Sequence, residues 1–354
     1  MTEKDSHKEK EIPFLNKLKS KIYSLLRLNP QPVIKVYNGF GNDKKITVLG
    51  HVLKLSPLPR HNYRQNRIIN FFSMLRLFMV IPFSYAKISV EWGGIIYKSM
   101  AEKDGFFRLE IFPETPPNEG WQKISVKLEE KANNLQLIES YGSLYIPVAS
   151  KYGFISDIDD TFLVSYSRVL RRKLYVLFTK NAHTRKPFEG VANHYRLLAQ
   201  SWQKNNSYNP FFYVSGSEWN LYNLLEEFSL VNEFPKGIFL LSSLKRIFQF
   251  WNFGRTNLMT KFARIVRVIE YFPKLKFVLL GDDSQKDPEI YLSVVTHFPE
   301  NIFAVYIRCV GNVKSDNTLS IISKIESYGV SCCYFKHSAE AVIHSKLIGL
   351  TESV

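Results

Sequence analysis

The pattern of apolar and polar positions changes near residue 151 of this 354-residue chain. Before that point, short segments of alternating apolar residues are separated by turn residues, a pattern that predicts β-strands. We place these strands at 33–37, 45–55, 85–92, 95–99, 106–111, 122–129 and 143–148, with a helix at 64–80. Short strands with frequent turns are typical of a β-sandwich. The sequence therefore predicts a β-sandwich-like domain over residues 32–150.

From residue 151 onward, apolar strands alternate with amphipathic helices. The predicted strands are 153–157, 210–215, 237–241, 276–281, 302–307 and 331–334. The predicted helices are 188–203, 218–228, 257–271, 288–297, 318–327 and 339–347. This alternation is typical of a parallel sheet that is covered by helices on both faces. We therefore predict an α/β domain over residues 151–354.

The N-terminal arm, residues 1–31, contains a basic helical pattern. Between Ile12 and Leu28, apolar residues recur at helical spacing, and lysines lie on the opposite face. No acidic residue occurs between Glu11 and Asp43. A helix of this kind is suited to a membrane interface. Packing on the protein's own surface is an equal alternative.

Composition narrows the classes of function. The formal net charge of +15 implies attraction to phosphates, whether in nucleic acid, an anionic membrane or a phosphorylated substrate. Three cysteines, two of them adjacent, indicate neither a disulfide framework nor a zinc cluster. The N-terminus has no secretory signal, and the longest apolar run, 68–86, is broken by Asn70, Arg76 and Pro82. These features predict a cytoplasmic protein without a transmembrane segment, in solution or peripherally bound to a membrane.

The strand at 153–157 ends in three carboxylates, Asp157, Asp159 and Asp160. In an open parallel sheet, ligands bind where the carboxyl ends of the strands meet. Neighbouring carboxylates raise one another's pKa, so a positive charge is expected among them, and a hard divalent cation is the simplest candidate. A solvated, Asp-rich turn would be the better interpretation if this stretch stood alone.

Two later strands and one helix make a ligand-binding site the better interpretation. One strand ends in a Ser-Gly pair, which offers a hydroxyl and close backbone approach to an anion. The helix begins with a lysine, against the preference of the helix dipole, which favours an anion nearby. The other strand again ends in acidic residues. The residues concerned are Ser215 and Gly216, Lys261, and Asp282, Asp283 and Asp287.

The order of these residues resembles the motifs of the haloacid-dehalogenase-like phosphohydrolases. Longer stretches resemble the phosphatidate phosphatase family that is typified by the yeast actin-patch protein, over roughly Lys151 to Tyr306. They are Gly-Phe-Ile-Ser-Asp-Ile-Asp-Asp-Thr, Tyr-Val-Ser-Gly-Ser-Glu-Trp-Asn-Leu-Tyr and the run from Gly281 to Tyr291. The preceding strand-rich segment is similar to that of bacterial members. The chain departs from the family pattern at Ser215-Gly216-Ser217-Glu218-Trp219 and at Gly281-Asp282-Asp283-Ser284.

This resemblance implies a Rossmann-like parallel-sheet catalytic domain that hydrolyses phosphomonoesters through an aspartyl-phosphate. It makes Asp157 the nucleophile and Asp159 the general acid and base. The substrate phosphate would be held by Ser215, Gly216 and Lys261, with Thr161 orienting the motif loop beside it. Mg²⁺ would be held by Asp157, Asp159 and Asp282, with Asp287 as a further ligand. The extra acid leaves open whether Asp283 or Asp287 is the second carboxylate of the last motif.

Between Thr161 and Glu189 the chain has seven basic residues and no acidic one. The family resemblance places a flap over the active site here, and the insert is too short for a large independent cap. Arg171, Arg172 and Lys173 are the candidates for contact with a lipid substrate. A basic, solvated helix is the alternative interpretation of any single one of these residues.

The predicted reaction is the Mg²⁺-dependent conversion of phosphatidate to diacylglycerol and phosphate at an anionic membrane surface. The same chemistry on a soluble or nucleic-acid phosphate is an alternative, although no recognised nucleic-acid motif supports that partner. A non-catalytic scaffold on the same fold is the third possibility. It is disfavoured because every acidic and basic motif position is filled.

Overall fold

The computed structural model describes residues 21, 23–58, 67–129, 137–147, 150–162, 183–203, 207–244, 258–311 and 313–352. Most of the predicted N-terminal helix lies outside these residues. The candidate flap residues Arg171, Arg172 and Lys173 also lie outside them. Within the described part of the chain, no helix is long and apolar enough to cross a membrane.

Residues 28–146 form a ten-stranded, mainly antiparallel sheet, which we call the β-rich part. Its strands are β1 (Leu28–Asn29), β2 (Val33–Val36), β3 (Gly39–Gly41), β4 (Ile46–Pro57), β5 (Ile81–Pro82), β6 (Lys87–Trp92), β7 (Ile95–Met100), β8 (Phe106–Ile111), β9 (Gly120–Leu128) and β10 (Glu139–Ile146). One helix, α1 (Arg67–Arg76), interrupts them. The seven predicted strands are all present, and the β-sandwich arrangement stays a prediction.

Strand β4 organises the β-rich part. It is twelve residues long and pairs antiparallel with β1, β2, β3, β5 and β8. Its apolar side chains, among them Ile46, Val48 and Val52, pack in a cluster with Ile88 and Phe107. All five are fully buried. Burial of alternate apolar residues from facing strands is the main source of stability for such a sheet.

The second half, which we call the parallel-sheet part, alternates strands and helices. Its strands are β11 (Tyr152–Ser156), β12 (Phe211–Glu218), β13 (Ile238–Ser242), β14 (Lys276–Asp282), β15 (Ile302–Arg308) and β16 (Ser331–Phe335). Its helices are α2 (Val191–Gln200), α3 (Tyr222–Val231), α4 (Leu258–Tyr271), α5 (Asp287–His297), α6 (Asp316–Glu326) and α7 (Ser338–Leu347). All six strands are parallel. The predicted α/β architecture with a parallel sheet is confirmed.

The strand order is β13-β12-β11-β14-β15-β16. The chain starts at β11, builds outward on one side through β12 and β13, and then returns to build outward on the other side from β14. The order therefore reverses between β11 and β14, and ligands bind at such a switch point in open α/β sheets. Both strands are apolar and buried along nearly their whole length, as expected for strands covered on both faces.

Helix α3 begins later than its sequence pattern predicts. The predicted start was residue 218, whereas Tyr222 begins the helix. Strand β12 continues to Glu218, and a short 3-10 helix, Trp219–Leu221, follows it. Pairing with β13 moves from Val214–Leu240 to Glu218–Ser242, so β12 accommodates two extra residues in this interval.

The two parts share one hydrophobic core. Tyr37 of the β-rich part stacks on Trp219, with ring centroids 4.2 Å apart. The backbone N–H of Asn38 donates to the Tyr222 hydroxyl at 3.0 Å, and its side-chain amide donates to the Gly237 carbonyl at 3.0 Å. Because aromatic contact and hydrogen bonds occur together, the β-rich part holds the segment that follows β12 in a defined place.

Helix α4 is also held by the β-rich part. The Asn42 side chain donates to the Tyr271 carbonyl at 2.9 Å, and Phe40 packs edge-on against the Tyr271 ring at 4.8 Å. These contacts lie at the C-terminal end of α4. The β-rich part therefore positions the helix that carries Lys261.

Candidate active site

The first motif, Asp157 to Thr161, lies at the carboxyl end of β11. Asp157 follows the strand directly, is buried, and donates its backbone N–H to the Leu280 carbonyl of β14 at 2.8 Å. Asp160 has a φ of 60°, in the left-handed region that aspartate tolerates better than most residues, and it turns the chain back. Thr161 Oγ1 then donates to Asp282 Oδ2 at 3.0 Å. The turn brings the ends of β11 and β14 to one point.

Three carboxylates meet there. Oxygens of Asp157, Asp282 and Asp287 all lie within 4.8 Å of one another, and all three residues are buried. Asp282 is the last residue of β14, and Asp287 is the first residue of α5. Three buried negative charges at this separation repel one another strongly unless a positive charge lies between them.

Lys261, in the first turn of α4, supplies one such charge. Its Nζ donates to Asp157 Oδ1 at 2.6 Å and also to Asp287 Oδ1. Burial lowers the pKa of this ammonium, but the two carboxylates outweigh burial and raise it above its usual value. The lysine is therefore charged at any physiological pH. One ammonium against three carboxylates leaves two negative charges uncompensated when all are ionised.

The pKa values of the acids reflect this excess. Burial raises the pKa of Asp157 well above its usual range, against the lowering effect of Lys261. The neighbouring carboxylates of Asp287, Asp282 and Asp159 raise it further. Burial, and next to it Asp287, raise the pKa of Asp282 to about 7. The cluster is thus suited to bind either protons or a cation.

A hard divalent cation fits this cluster. Mg²⁺ prefers carboxylate oxygens, and the three side chains offer oxygens close enough together to share one ion. Burial raises the pKa of Asp157 and of Asp282, and neighbouring carboxylates raise both further, so a cation among these oxygens would stabilise their ionised forms.

We expect Mg²⁺ to raise the melting temperature more at about pH 7.5 than at about pH 5. The Asp282 pKa of about 7 in the fold lies above the value of about 3.9 in an unfolded chain, so the fold binds more protons between these values. Without a cation, stability therefore falls as pH rises through this window. Mg²⁺ competes with those protons and binds better once they are lost. Thermal unfolding with and without Mg²⁺ at both pH values measures the difference, and an equal or larger gain at the lower pH would contradict it.

The Asp159 side chain points to β12. Its Oδ2 accepts a hydrogen bond from Ser217 Oγ at 3.0 Å. The buried guanidinium of Arg185 lies near enough for Asp159 to raise its pKa, although burial lowers that pKa overall, to about 10. Two acidic groups of the same motif thus face different surroundings: Asp157 faces the carboxylate cluster and Asp159 faces a hydroxyl and a cation.

The second motif, Ser215 to Ser217, forms a compact turn within the irregular part of β12. Ser215 is fully buried, and its Oγ accepts the backbone N–H of Ser217 at 2.9 Å. Arg264 of α4 donates to the Ser215 carbonyl at 3.1 Å. Ser215 and Gly216 therefore lie at the same edge as Asp159, and their binding of phosphate stays a prediction.

The structure brings Asp287, and not Asp283, to Asp157 and Lys261. The Asp283 carboxylate accepts the Val310 backbone N–H at 3.0 Å and the Tyr334 hydroxyl at 2.7 Å. These partners follow β15 and belong to β16, on the far side from β11. The geometry therefore favours Asp287 as the second carboxylate of the last motif.

Gly281 was noted in the sequence only as part of a motif, but it permits the approach of Asp287 to Lys261. A Cβ at this position would lie 2.6 Å from Asp287 Oδ2 and 2.8 Å from the Tyr291 hydroxyl. Tyr291 cannot easily move away, because its hydroxyl donates to the Leu280 carbonyl at 2.8 Å. Only glycine leaves room for Asp287 to reach Lys261.

Gly281→Ala should displace Asp287 and weaken Mg²⁺ binding. A contact of 2.6 Å is shorter than real Cβ contacts, so the carboxylate has to shift by several tenths of an ångström. We expect roughly tenfold weaker Mg²⁺ binding, the size of effect seen when the support of a metal ligand is disturbed. Calorimetric titration with Mg²⁺ measures it. Gly329→Ala is the control for the same substitution away from the site. Its φ of 80° strains an alanine, so this variant should lose stability, but no atom lies within 4 Å of the added Cβ and Mg²⁺ binding should stay unchanged.

Two further residues support the site and were missed from the sequence. Ser217 holds Asp159, as described, and Arg308 holds the first motif. Arg308 Nε donates to the Thr161 carbonyl at 2.9 Å, and its other end donates to Ser338 Oγ at 3.0 Å. The sequence did contain a signal for Arg308. This charged residue ends a strand whose preceding residues, 302–307, carry no charge.

Comparison with known proteins supports the family resemblance of the site motifs. The family model described as phosphatidate phosphatase APP1, catalytic domain, matches residues 152–309. The chain is 32% identical over 164 residues to phosphatidate phosphatase APP1 of Saccharomyces cerevisiae, which covers 46% of this chain and 27% of that protein. It is 27% identical over 215 residues to an uncharacterized protein of Schizosaccharomyces pombe, which covers 58% of this chain and 33% of that protein. The chain thus spans a third or less of the length of these relatives.

Among solved structures, the chain aligns with a carbohydrate acetylesterase of Xanthomonas citri at a TM-score of 0.30 and 10% identity, over 86% of this chain and 68% of that one. A similarity at this level supports no conclusion about fold or function. The family match covers the segment that carries all the candidate site residues. Residues 152–309 therefore match the family model of the phosphatidate phosphatase APP1 catalytic domain, as the motifs indicated.

Proposed function

We propose that this protein is a phosphatase with a haloacid-dehalogenase-like catalytic domain, and that it hydrolyses phosphatidate in a Mg²⁺-dependent reaction through an aspartyl-phosphate. One observation carries the proposal. A buried aspartate at the switch point of a parallel sheet is hydrogen-bonded to a buried lysine and lies beside two further carboxylates. The match of this segment to the APP1 catalytic domain supports the reaction class.

Asp157 is the proposed nucleophile. Lys261 holds the Oδ1 oxygen of its carboxylate, and the Thr161 hydroxyl, which donates to Asp282, lies 3.4 Å from Oδ2. We infer that Oδ2 is the oxygen that a substrate phosphate can approach. Attack by that oxygen forms a bond to phosphorus while the bond from phosphorus to the leaving alcohol oxygen breaks. A carboxylate held in place in this way avoids the entropic cost of aligning two free molecules.

Asp159 is the proposed proton donor and acceptor. In the first step its carboxylic acid protonates the leaving oxygen, and in the second its carboxylate takes a proton from the attacking water. That water forms a new bond to phosphorus, and the bond from phosphorus to Asp157 breaks, which restores the nucleophile. The hydrogen bond from Ser217 holds the Asp159 side chain against β12, beside the turn that contains Ser215.

The phosphoryl oxygens are assigned to the turn at the end of β12 and to α4. The Ser215 hydroxyl, the Gly216 N–H and the Lys261 ammonium are the donors we propose for them. Asp157, Asp282 and Asp287 would hold Mg²⁺, with the Asp159 backbone carbonyl as a further ligand. When bound, Mg²⁺ would neutralise charge on the phosphoryl group.

A lipid substrate is supported by the distribution of charge. Residues 12–90, which we call the basic stretch, contain thirteen basic residues and a single acid, Asp43. They therefore carry +12 of the net charge of +15. Their described part also exposes large apolar side chains, including Leu25 and Phe72, which are 83% and 55% exposed. Basic and exposed apolar residues together favour contact with an anionic membrane surface.

The basic stretch is connected to the candidate site. Helix α1 belongs to it, and the Leu77 carbonyl just after α1 accepts a hydrogen bond from the Asn220 side chain at 2.9 Å. Asn220 lies directly after the turn that contains Ser215. A membrane that contacts the basic stretch would thus lie near the edge of the sheet where phosphate is proposed to bind. We propose that the protein acts peripherally at such a surface, from the cytoplasm.

Phosphate release tests the function. Purified protein is compared on phosphatidate in mixed micelles and on a panel of soluble phosphomonoesters, with and without Mg²⁺. We expect release that requires Mg²⁺ and that favours phosphatidate. A clear preference for a soluble phosphomonoester would replace the lipid by that substrate class. No release from any phosphomonoester would leave the scaffold interpretation.

Binding to phosphatidate-containing liposomes should fall roughly a hundredfold or more in a Leu25→Ser, Phe72→Ser variant, because burying each large apolar side chain contributes about 1.5–3 kcal/mol. Binding should also fall as salt rises, since salt screens the basic residues. Leu230→Ser is the matched control. Leu230 is 78% exposed, but it lies near the C-terminal end of α3, which runs away from the carboxyl edge. Liposome co-sedimentation measures all three proteins, and equal loss in the control would exclude a specific surface.

A further inference from the structure

A cavity that is separate from the carboxylate cluster lies between the β-rich part and helix α4. Its volume is about 200 Å³. A water molecule occupies about 30 Å³ in the liquid, so the space fits a phosphate group together with a few carbon atoms. Its lining comes from both halves of the chain and includes none of Asp157, Asp282 and Lys261.

Three arginines face this cavity. Arg108 comes from β8, and Arg264 and Arg267 come from α4. Arg267 lies close enough to the other two to lower the pKa of each, next to the larger effect of burial, and the pKa of Arg264 falls to about 10. Three like charges around one cavity repel one another, and an anion between them would remove that repulsion.

The protein itself does not neutralise these arginines by ion pairing. None of the three has a carboxylate within ion-pair distance among the residues that the structure describes. Glu110 and Glu102 lie near enough to Arg108 to raise its pKa, but burial and Arg267 outweigh them and lower it overall. Glu102 and Asp104 also line the cavity, so its lining has a net charge of +1. Asp104 is engaged elsewhere, since its Oδ1 accepts the Phe106 backbone N–H at 3.1 Å.

The remaining wall is apolar. Phe106 and Trp219 stack with ring centroids 5.9 Å apart, and Leu240 lies beside them. A ligand that fills the cavity therefore meets guanidinium groups on one side and aromatic and aliphatic surface on the other. Guanidinium groups are planar and donate paired hydrogen bonds, which match the several oxygens of a phosphate better than a single ammonium does.

We propose that this cavity binds a phosphomonoester with a short apolar substituent, with its phosphate between Arg108, Arg264 and Arg267 and its apolar part against Phe106 and Trp219. The ligand would bridge the two halves of the chain. Arg264 also donates to the Ser215 carbonyl, so an occupant of the cavity contacts a residue that touches the phosphate-binding turn. The binding itself is independent of the proposed catalytic function.

Calorimetry with hexyl phosphate tests the site. The Asp157→Asn protein serves as the parent, which removes turnover without touching the cavity. An Arg108→Gln, Arg267→Gln derivative should bind one hexyl phosphate fewer per chain, or bind it roughly a hundredfold or more weakly, because two donors of charge-assisted hydrogen bonds are lost. Arg196→Gln is the control, since it removes an arginine charge outside the cavity.

Two further measurements keep the result unambiguous. The melting temperature of the double variant should be no lower than that of the parent, because the change removes like-charge repulsion. Inorganic phosphate should bind this site more weakly than hexyl phosphate if the apolar wall contributes. Unchanged stoichiometry and affinity in the double variant, equal loss in the Arg196 control, or equal affinity for phosphate with and without the hexyl group would each overturn the proposal.

Discussion

Asp157→Asn should remove phosphate release from every substrate, by roughly a thousandfold or more, as expected when a covalent catalyst is lost. The amide keeps the shape of the side chain but is a poor nucleophile. It also removes one of the three carboxylates of the cluster. The fold should survive, since the change relieves charge repulsion and leaves Lys261 paired with Asp287.

Asp160→Asn is the matched control for this experiment. It is the same chemical change in the same motif, three residues along the chain, and Asp160 is also buried. Its φ of 60° suits asparagine as well as aspartate, so the turn is preserved. We expect turnover within about tenfold of the parent, since Asp160 touches none of the reacting groups in our proposal. If both variants lose activity equally, the assignment of Asp157 as the nucleophile is wrong.

The architecture of the parallel-sheet part could be predicted because its signals are local. Six apolar runs alternate with amphipathic helices, and each run is long enough to be recognised by itself. Burial on both faces selects such continuous apolar strands, as in β11 and β14. Seven of the ten strands of the β-rich part could be predicted for a similar reason, since each alternates and ends at turn residues.

The contacts between the halves could not be predicted in this way. The stacking of Tyr37 on Trp219 joins residues that are far apart in the sequence, and neither residue has a local signal for it. The same is true of the arginine cavity, because Arg108 lies on a strand of one half and Arg267 on a helix of the other. Sequence periodicity identifies buried faces, but it does not identify which faces meet.

The residues that support the site could not be predicted for similar reasons. Arg308 lies 147 residues beyond Thr161, whose carbonyl it holds, so only the register between neighbouring strands brings them together. Ser217 looked like an ordinary turn residue, and its contact with Asp159 depends on the irregularity of β12. The choice between Asp283 and Asp287 was left open because linear spacing does not tell which acid turns toward β11.

Asp287→Asn and Asp283→Asn form a matched pair that tests that choice. Asp287→Asn removes a carboxylate from the cluster and one of the two ion-pair partners of Lys261, which keeps only Asp157. We expect turnover to fall roughly a hundredfold or more, with a higher Mg²⁺ requirement. Steady-state kinetics as a function of Mg²⁺ concentration measures both effects.

Asp283→Asn should instead affect stability. Its side chain accepts from the Val310 N–H and the Tyr334 hydroxyl, and the amide can keep the first of these bonds but presents an N–H group to the second unless the tyrosine reverses its role. The expected loss of stability is about 1–2 kcal/mol, measured by denaturant unfolding, with turnover within a few-fold of the parent. The opposite outcome is as informative. If Asp283→Asn causes the larger loss of turnover and the larger change in Mg²⁺ requirement, then Asp283 is the metal-side carboxylate of the last motif, and Asp287 serves only to hold Lys261.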